Sequence, residues 1–125
     1  MNNSRSRDEM AMKMDECIQN CLDCHRVCLT TVPHCLNRGG EHTSQTHITS
    51  LLLKCAQLCQ ASACLMLIKS SAYTDVCDTC AKACERCAKE CRDLANGDTK
   101  MLNCAEVCRR CAKSCAGMAT ATQAV

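Results

Sequence analysis

The chain has 125 residues, a formal net charge of +2 and 17 cysteines, and Tyr73 is its only residue among Phe, Trp and Tyr. That is one domain's worth of sequence, with a core that has to be built from Cys, Ala, Leu, Val, Ile and Met rather than from rings. No 18-residue apolar run predicts a transmembrane helix, and no basic block or aromatic platform predicts a nucleic-acid surface; neither a membrane nor nucleic acid is expected as a partner.

Residues 1–7 are polar and read as a frayed tail. A helical pattern then runs from Asp8 to about Arg38 and stops at Gly39-Gly40, the residue type favoured just past a helix end. Pro33 lies inside this helix and predicts a kink or a restart, because it removes a backbone donor. A second helix spans about 43–69 and is punctuated by Ser70-Ser71, with Ser71 or Thr74 as N-cap of a third over 72–95. Asn96-Gly97-Asp98 gives a C-terminal stop followed by an N-cap candidate for a fourth helix over 98–118, and 119–125 read as a tail. No run alternates with period two. Connections this short make successive helices antiparallel, so the expected fold is all-α: one up-down-up-down four-helix bundle over residues 8–118.

The cysteines are not scattered. They fall at 17, 21, 24, 28 and 35 in the first helix, at 77, 80, 84, 87 and 91 in the third, and at 104, 108, 111 and 115 in the fourth. Steps alternating between three and four keep a side chain on one helix face and form the seam that looks at a bundle's axis. In the second helix Cys55 and Cys59 share a face, but the step of five to Cys64 leaves the seam; Ser62 and Met66 hold the seam positions instead. Cys64 is therefore read as a small buried apolar residue between helices. Leu22, Leu29 and Leu36, Ala81 and Ala88, and Ala105 and Ala112 recur every seven residues beside the seams and read as helix–helix packing.

Sulfur is poor packing material, since each Cys buries little apolar area. Sixteen seam positions given to it therefore point to soft-metal ligation: Cys17, Cys21, Cys24, Cys28, Cys35, Cys55, Cys59, Cys77, Cys80, Cys84, Cys87, Cys91, Cys104, Cys108, Cys111 and Cys115. Seven CxxxC pairs put two sulfurs on one helix face, enough for a two-coordinate Cu(I) site. Zinc wants four ligands in a closed tetrahedron, and a four-thiolate zinc site carries a net charge of −2 that seams without Lys or Arg leave uncompensated. One Cu(I) per thiolate is neutral, which sets a capacity of roughly the mid-teens of ions per chain if the sulfurs bridge. Iron–sulfur motifs lie on loops that wrap one cluster, and these motifs run through helix after helix.

Extending the seams reaches Met10 and Met14, Met66 and Met118, all at one end of the bundle; a thioether mouth there would pass Cu(I) without a proton to lose. His25, His34, His42 and His47 read as structural or solvent-facing. No nucleophile–base constellation predicts an enzyme. The N-terminus lacks the apolar stretch of a secretory signal and the cysteine count is odd, so a cytoplasmic metal protein is expected rather than an exported disulfide scaffold. A Zn(II)-binding protein and a thiol redox or disulfide module are the competing functions.

The CxxxCxxC rows, and CDTCAKACERCAKEC at 77–91 above all, resemble the bacterial copper storage proteins over residues 12–118. The absence of an export signal makes the chain similar to their cytosolic branch. The resemblance implies a four-helix bundle filled with Cu(I), assembled as a homotetramer, that stores or sequesters copper. Cys64 out of register, Ser62 on the seam and Thr31 in place of a further first-helix Cys depart from that pattern.

Overall fold

A computed structural model of the chain describes residues 2–121. Four helices account for it: α1 (Asn2–Arg38), α2 (Lys54–Leu67), α3 (Tyr73–Ala95) and α4 (Thr99–Ala121). A 3-10 turn (Gly40–Thr43) and a π-helical stretch (Thr46–Leu53) lead into α2. Each helix packs along its sequence neighbour, and α1 closes the ring on α4, which is the expected up-down-up-down bundle. The most extensive pairing is α3 with α4. Ala81, Ala88 and Ala95 on α3 and Ala105, Ala112 and Ala119 on α4 are all buried, and small side chains let two helix axes approach closely.

The punctuation marks act as read. Gly39 leaves α1 with φ 78° and its N–H returns to the Cys35 carbonyl at 3.0 Å. Asn96 ends α3 in the left-handed region. Asp98 caps α4, its Oδ1 accepting from the backbone N–H of Lys100 (2.9 Å) and Met101 (3.1 Å).

Several expectations need correction. The first helix starts at Asn2 rather than Asp8, because nothing in residues 2–7 breaks a helix; the Ser6–Glu9 side chains project into solvent. Likewise α4 continues to Ala121, with Ala119 buried, and the rest of the expected tail lies outside the described residues. Of the two outcomes expected at Pro33, the restart does not occur: α1 runs on to Arg38 with Pro33 inside it. Neither Ser71 nor Thr74 caps α3; Ala72 holds that position without a side-chain bond. Leu22, Leu29 and Leu36 are not buried contacts: they are 40%, 37% and 56% exposed. Each follows a seam cysteine by one residue and is turned about 100° from the axis; Ile18 and Val32 make the contacts from this side of α1.

Within the segment Thr46–Leu67 an 18-residue stretch reaches a mean hydropathy of 1.4, and the segment is long and apolar enough to cross a bilayer, contrary to the reading that no stretch qualifies. In the bundle its seam residues Leu52, Cys55, Cys59 and Met66 face the core, which is what makes a core helix apolar.

Candidate metal centre

Sixteen cysteines are completely buried and line the axis, drawn from all four helices. Cys64 is the exception, and it is exposed rather than buried. Its step of five from Cys59 turns it about 140° off the seam, past the neighbouring helices and into solvent. All 17 cysteines are free thiols.

The seams set each sulfur's height, and the bundle decides its neighbours. The shortest contacts cross between helices: Cys21 to Cys115 and Cys55 to Cys84, each 3.4 Å. Within helices, Cys24–Cys28 (3.9 Å), Cys80–Cys84 (3.8 Å) and Cys111–Cys115 (3.9 Å) also meet. Donors about 2.3 Å from a shared ion sit roughly 3.5–4 Å apart, so this spacing already suits a bridged array.

Several groups of four sulfurs lie within 4.8 Å of one another. Cys21, Cys80, Cys111 and Cys115 form one; Cys59, Cys80, Cys84 and Cys111 the next; then Cys24, Cys55, Cys59 and Cys84; then Cys24, Cys28, Cys55 and Cys108; and last Cys28, Cys87, Cys104 and Cys108. Each shares two cysteines with the next. The result is a continuous ladder in which a sulfur belongs to more than one site. Cys17 joins it at one end through Cys115 (3.7 Å), and Cys91 at the other through Cys104 (3.9 Å).

No described Lys or Arg is buried; the buried polar or charged residues are Thr31, His47, Ser62 and Asp98. The ladder thus has no internal cation, and thiolates there are neutralised only by what they bind. Several of the thiols resist ionisation, while hydrogen bonds from neighbouring thiols pull Cys17, Cys24, Cys55, Cys104 and Cys111 the other way. Burial first, then the charges of Cys104 and Asp98, pushes Cys35 up to about 11. Cys28, Cys87, Cys91 and Cys108 are also pushed up, by hydrogen bonding to Cys104 before burial. Metal loading therefore has to displace protons.

The seam interruptions differ in kind. Thr31 donates its hydroxyl to the Val27 carbonyl at 2.7 Å and is satisfied within its own helix. Ser62 Oγ is buried with no partner. Met66 and Met118 are buried, while Met14 is partly buried against the core; helix direction brings all three to the same end, as the spacing predicts. Met10 is half-buried. With Met118 it borders a groove of about 740 Å³ between α1 and α4, with Lys13, Arg109, Arg110 and Lys113 around it.

Three histidines are structural, as read: His25 Nδ1 meets the Ala56 carbonyl at 2.7 Å, His34 Nε2 meets Asp98 Oδ2 at 2.7 Å, and His42 Nε2 meets the Leu94 carbonyl at 3.0 Å. The fourth is not solvent-facing. His47 is completely buried, its Nε2 is 3.4 Å from Cys35 Sγ, and burial holds its pKa below the ordinary range. Met101, also buried, has its Sδ 3.3 Å from the same sulfur. The sequence carried a signal for Met101, which lies three residues before Cys104 on the α4 seam. It carried none for His47, since stepping back from Leu52 by four reaches Ile48.

The sequence profile of the copper storage proteins matches residues 10–120. No curated protein matches the chain. Among solved structures, the Nmul_A1745 protein of Nitrosospira multiformis is 38% identical, with a TM-score of 0.82 over 89% of this chain and 98% of that one. The Cu(I)-bound copper storage protein BsCsp3, from Bacillus subtilis, is 30% identical with a TM-score of 0.77, over 86% of this chain and 98% of its own. A cytosolic copper storage protein of Streptomyces lividans, solved during copper loading with five coppers, is 26% identical with a TM-score of 0.76, over 87% and 93%. With its sulfur-lined bundle and a profile match over nearly its whole length, the chain belongs to the copper storage protein family.

Proposed function

We infer that this protein stores and sequesters Cu(I) as a neutral copper–thiolate array, with the sixteen buried cysteines as ligands. The observation that carries this is the ladder: consecutive four-sulfur groups share two members, and no described cation is buried beside them. Shared sulfurs suit bridging between monovalent ions. A set of separate zinc sites would use each sulfur once and leave an excess of buried negative charge.

The protein acts by binding, not by catalysis, and in the cytoplasm, as in the S. lividans relative. Met14, Met66 and Met118, with Met10 in the adjoining groove, form the end through which copper passes, because a thioether binds a soft ion weakly and reversibly. The chain assembles as a homotetramer. The heptad-spaced stripe of Leu22, Leu29 and Leu36, exposed in the single chain, supports a helix-to-helix contact between copies.

Anaerobic titration of the reduced apo-protein with Cu(I) tests the storage reading. Thiolate absorption should rise to a plateau at roughly one ion per buried thiol, in the mid-teens. A plateau at about a quarter of the thiols, the four-ligand limit, would sink it. Light scattering of the same sample tests the assembly.

A further inference from the structure

The groove between α1 and α4 at the thioether end has a volume of about 740 Å³, inside the range of about 300–1,000 Å³ usual for small-molecule sites. Its two walls are tied together by Asn20, whose Nδ2 donates to Ser114 Oγ at 3.2 Å. Met10 and Met118 border it. Met118 lies three residues past Cys115 on the α4 seam, and Cys115 Sγ is 3.4 Å from Cys21 and 3.7 Å from Cys17. The groove therefore adjoins the sulfurs that end the ladder.

The charge around it is one-sided. Lys13 from α1 and Arg109, Arg110 and Lys113 from α4 line it, against one carboxylate, Glu16. Glu106 pairs with both arginines, at 2.8 and 3.7 Å. Among the described residues no ion pair involves Lys13 or Lys113. The helix dipole does not account for the α4 cations, because a cation complements it only in the last turn and that turn has no basic residue. The positive surface continues round α4, where Arg109 and Lys113 also line a second groove with Lys89 and Arg92 of α3. Cations gathered beside soft donors repel a bare Cu(I) ion, which is itself a cation. They attract copper that arrives inside an anion. Two thiolates on one Cu(I) make such an anion, and carboxylates on the thiol add to its charge.

We propose that this groove docks Cu(I) as an anionic bis-thiolate complex of a small carboxylate-bearing thiol, with Lys13 and Lys113 holding the complex while copper crosses to the protein's sulfur. The proposal rests on the thioether end being where copper passes, and names the form in which copper reaches it. The step is a ligand exchange with no change of oxidation state. One buried Cys thiol gives its proton to one carrier thiolate, which leaves as the neutral thiol. The second carrier thiolate leaves as the anion. Two Cu–S bonds to the carrier break and Cu(I) bonds to the Cys sulfur, so one negative charge stands on each side. The cations that drew the complex in also raise its local concentration beside the ladder.

The experiment mixes the full-length, reduced apo-protein anaerobically with the bis-glutathione complex of Cu(I) and follows transfer by stopped-flow absorption. The bis-cysteamine complex, whose ammonium groups reverse the charge, is the second donor. Lys13→Gln with Lys113→Gln, both exposed positions, should slow transfer from the glutathione complex at least several-fold with capacity unchanged, and should leave transfer from the cysteamine complex as fast or faster. Lys54→Gln with Arg86→Gln removes the same charge from a groove between α2 and α3 that offers no sulfur, and should leave both donors as they were. S-methylglutathione, which keeps the carboxylates and has no thiol, should compete with the glutathione complex for the unsubstituted protein and not for the Lys13/Lys113 variant. Equal slowing by the two double variants, equal slowing of the two donors, or absence of competition overturns the groove while storage stands. If the Lys13/Lys113 variant slows transfer and replacing Met14, Met66 and Met118 by Leu does not, the docking groove stands and the thioethers lose their part. If the unsubstituted protein takes copper from neither donor, storage itself fails and the groove with it.

Discussion

The two ends of the sulfur ladder are built from different chemistry. Where α2 hands over to α3, the axis finishes in Met66 and Met118 with Met14 packed beside them, flexible thioethers that fill space without hydrogen bonds. Ser62, just inside, has no partner for its hydroxyl. The opposite end is tied down. Asp98 caps α4 and with Oδ2 also accepts from His34 (2.7 Å) and Arg38 (2.9 Å), so one carboxylate joins the end of α1 to the start of α4. His42 bonds the last turn of α3, and His47 and Met101 close over Cys35. One end is closed by soft packing, the other by a polar clasp.

Replacing Met14, Met66 and Met118 together by Leu is the sharpest way to break the contrast. Copper uptake from a Cu(I) donor should slow by about tenfold or more, through loss of the soft donors, with capacity intact. Stopped-flow absorption measures it, and unchanged kinetics would remove the thioether end as the point of passage.

The clasped end should respond to pH. Cys35 is pushed from its ordinary 9.0 up to about 11. A raised folded-state pKa contributes stability that is full below the unfolded value and is lost as pH rises through the folded one. Apo-protein melting temperature should therefore fall between about pH 9 and 11, less so in Cys35→Ala, and copper-loaded protein should be protected. Asp98→Ala removes the cap and the clasp; apo stability should drop by about 1–2 kcal/mol, seen as a lower denaturation midpoint. At the soft end, Ser62→Cys supplies a missing thiol where an unpartnered hydroxyl now sits. Saturation should rise by about one Cu(I), read by copper analysis after gel filtration, and an unchanged ratio would mean that position lies off the array.

Much of this was legible in the chain. Cysteine spacing fixed which face of each helix looks inward, and Gly39, Asn96 and Asp98 marked the turns. The same register position nevertheless met opposite fates. Ala81, Ala88, Ala105 and Ala112, each one residue past a cysteine, are buried because α3 and α4 press together along small residues. Leu22, Leu29 and Leu36, also one past a cysteine, stand exposed, since α1 and α2 do not close over them. Spacing gives an angle about one helix axis and says nothing about how near the neighbouring axis will come.

His47 shows the other limit. Counting in threes and fours assumes α-helical winding, and the π stretch shifts the frame by one residue, bringing His47 to the axis where the count names Ile48. By itself the sequence determined a bundle with sulfur along its axis, because helical periodicity is local and survives any packing. Which sulfurs share a site, which leucines meet solvent and which histidine reaches the core were decided only by tertiary structure. Those outcomes depend on distances between helices and on a local change of winding, neither of which periodicity encodes.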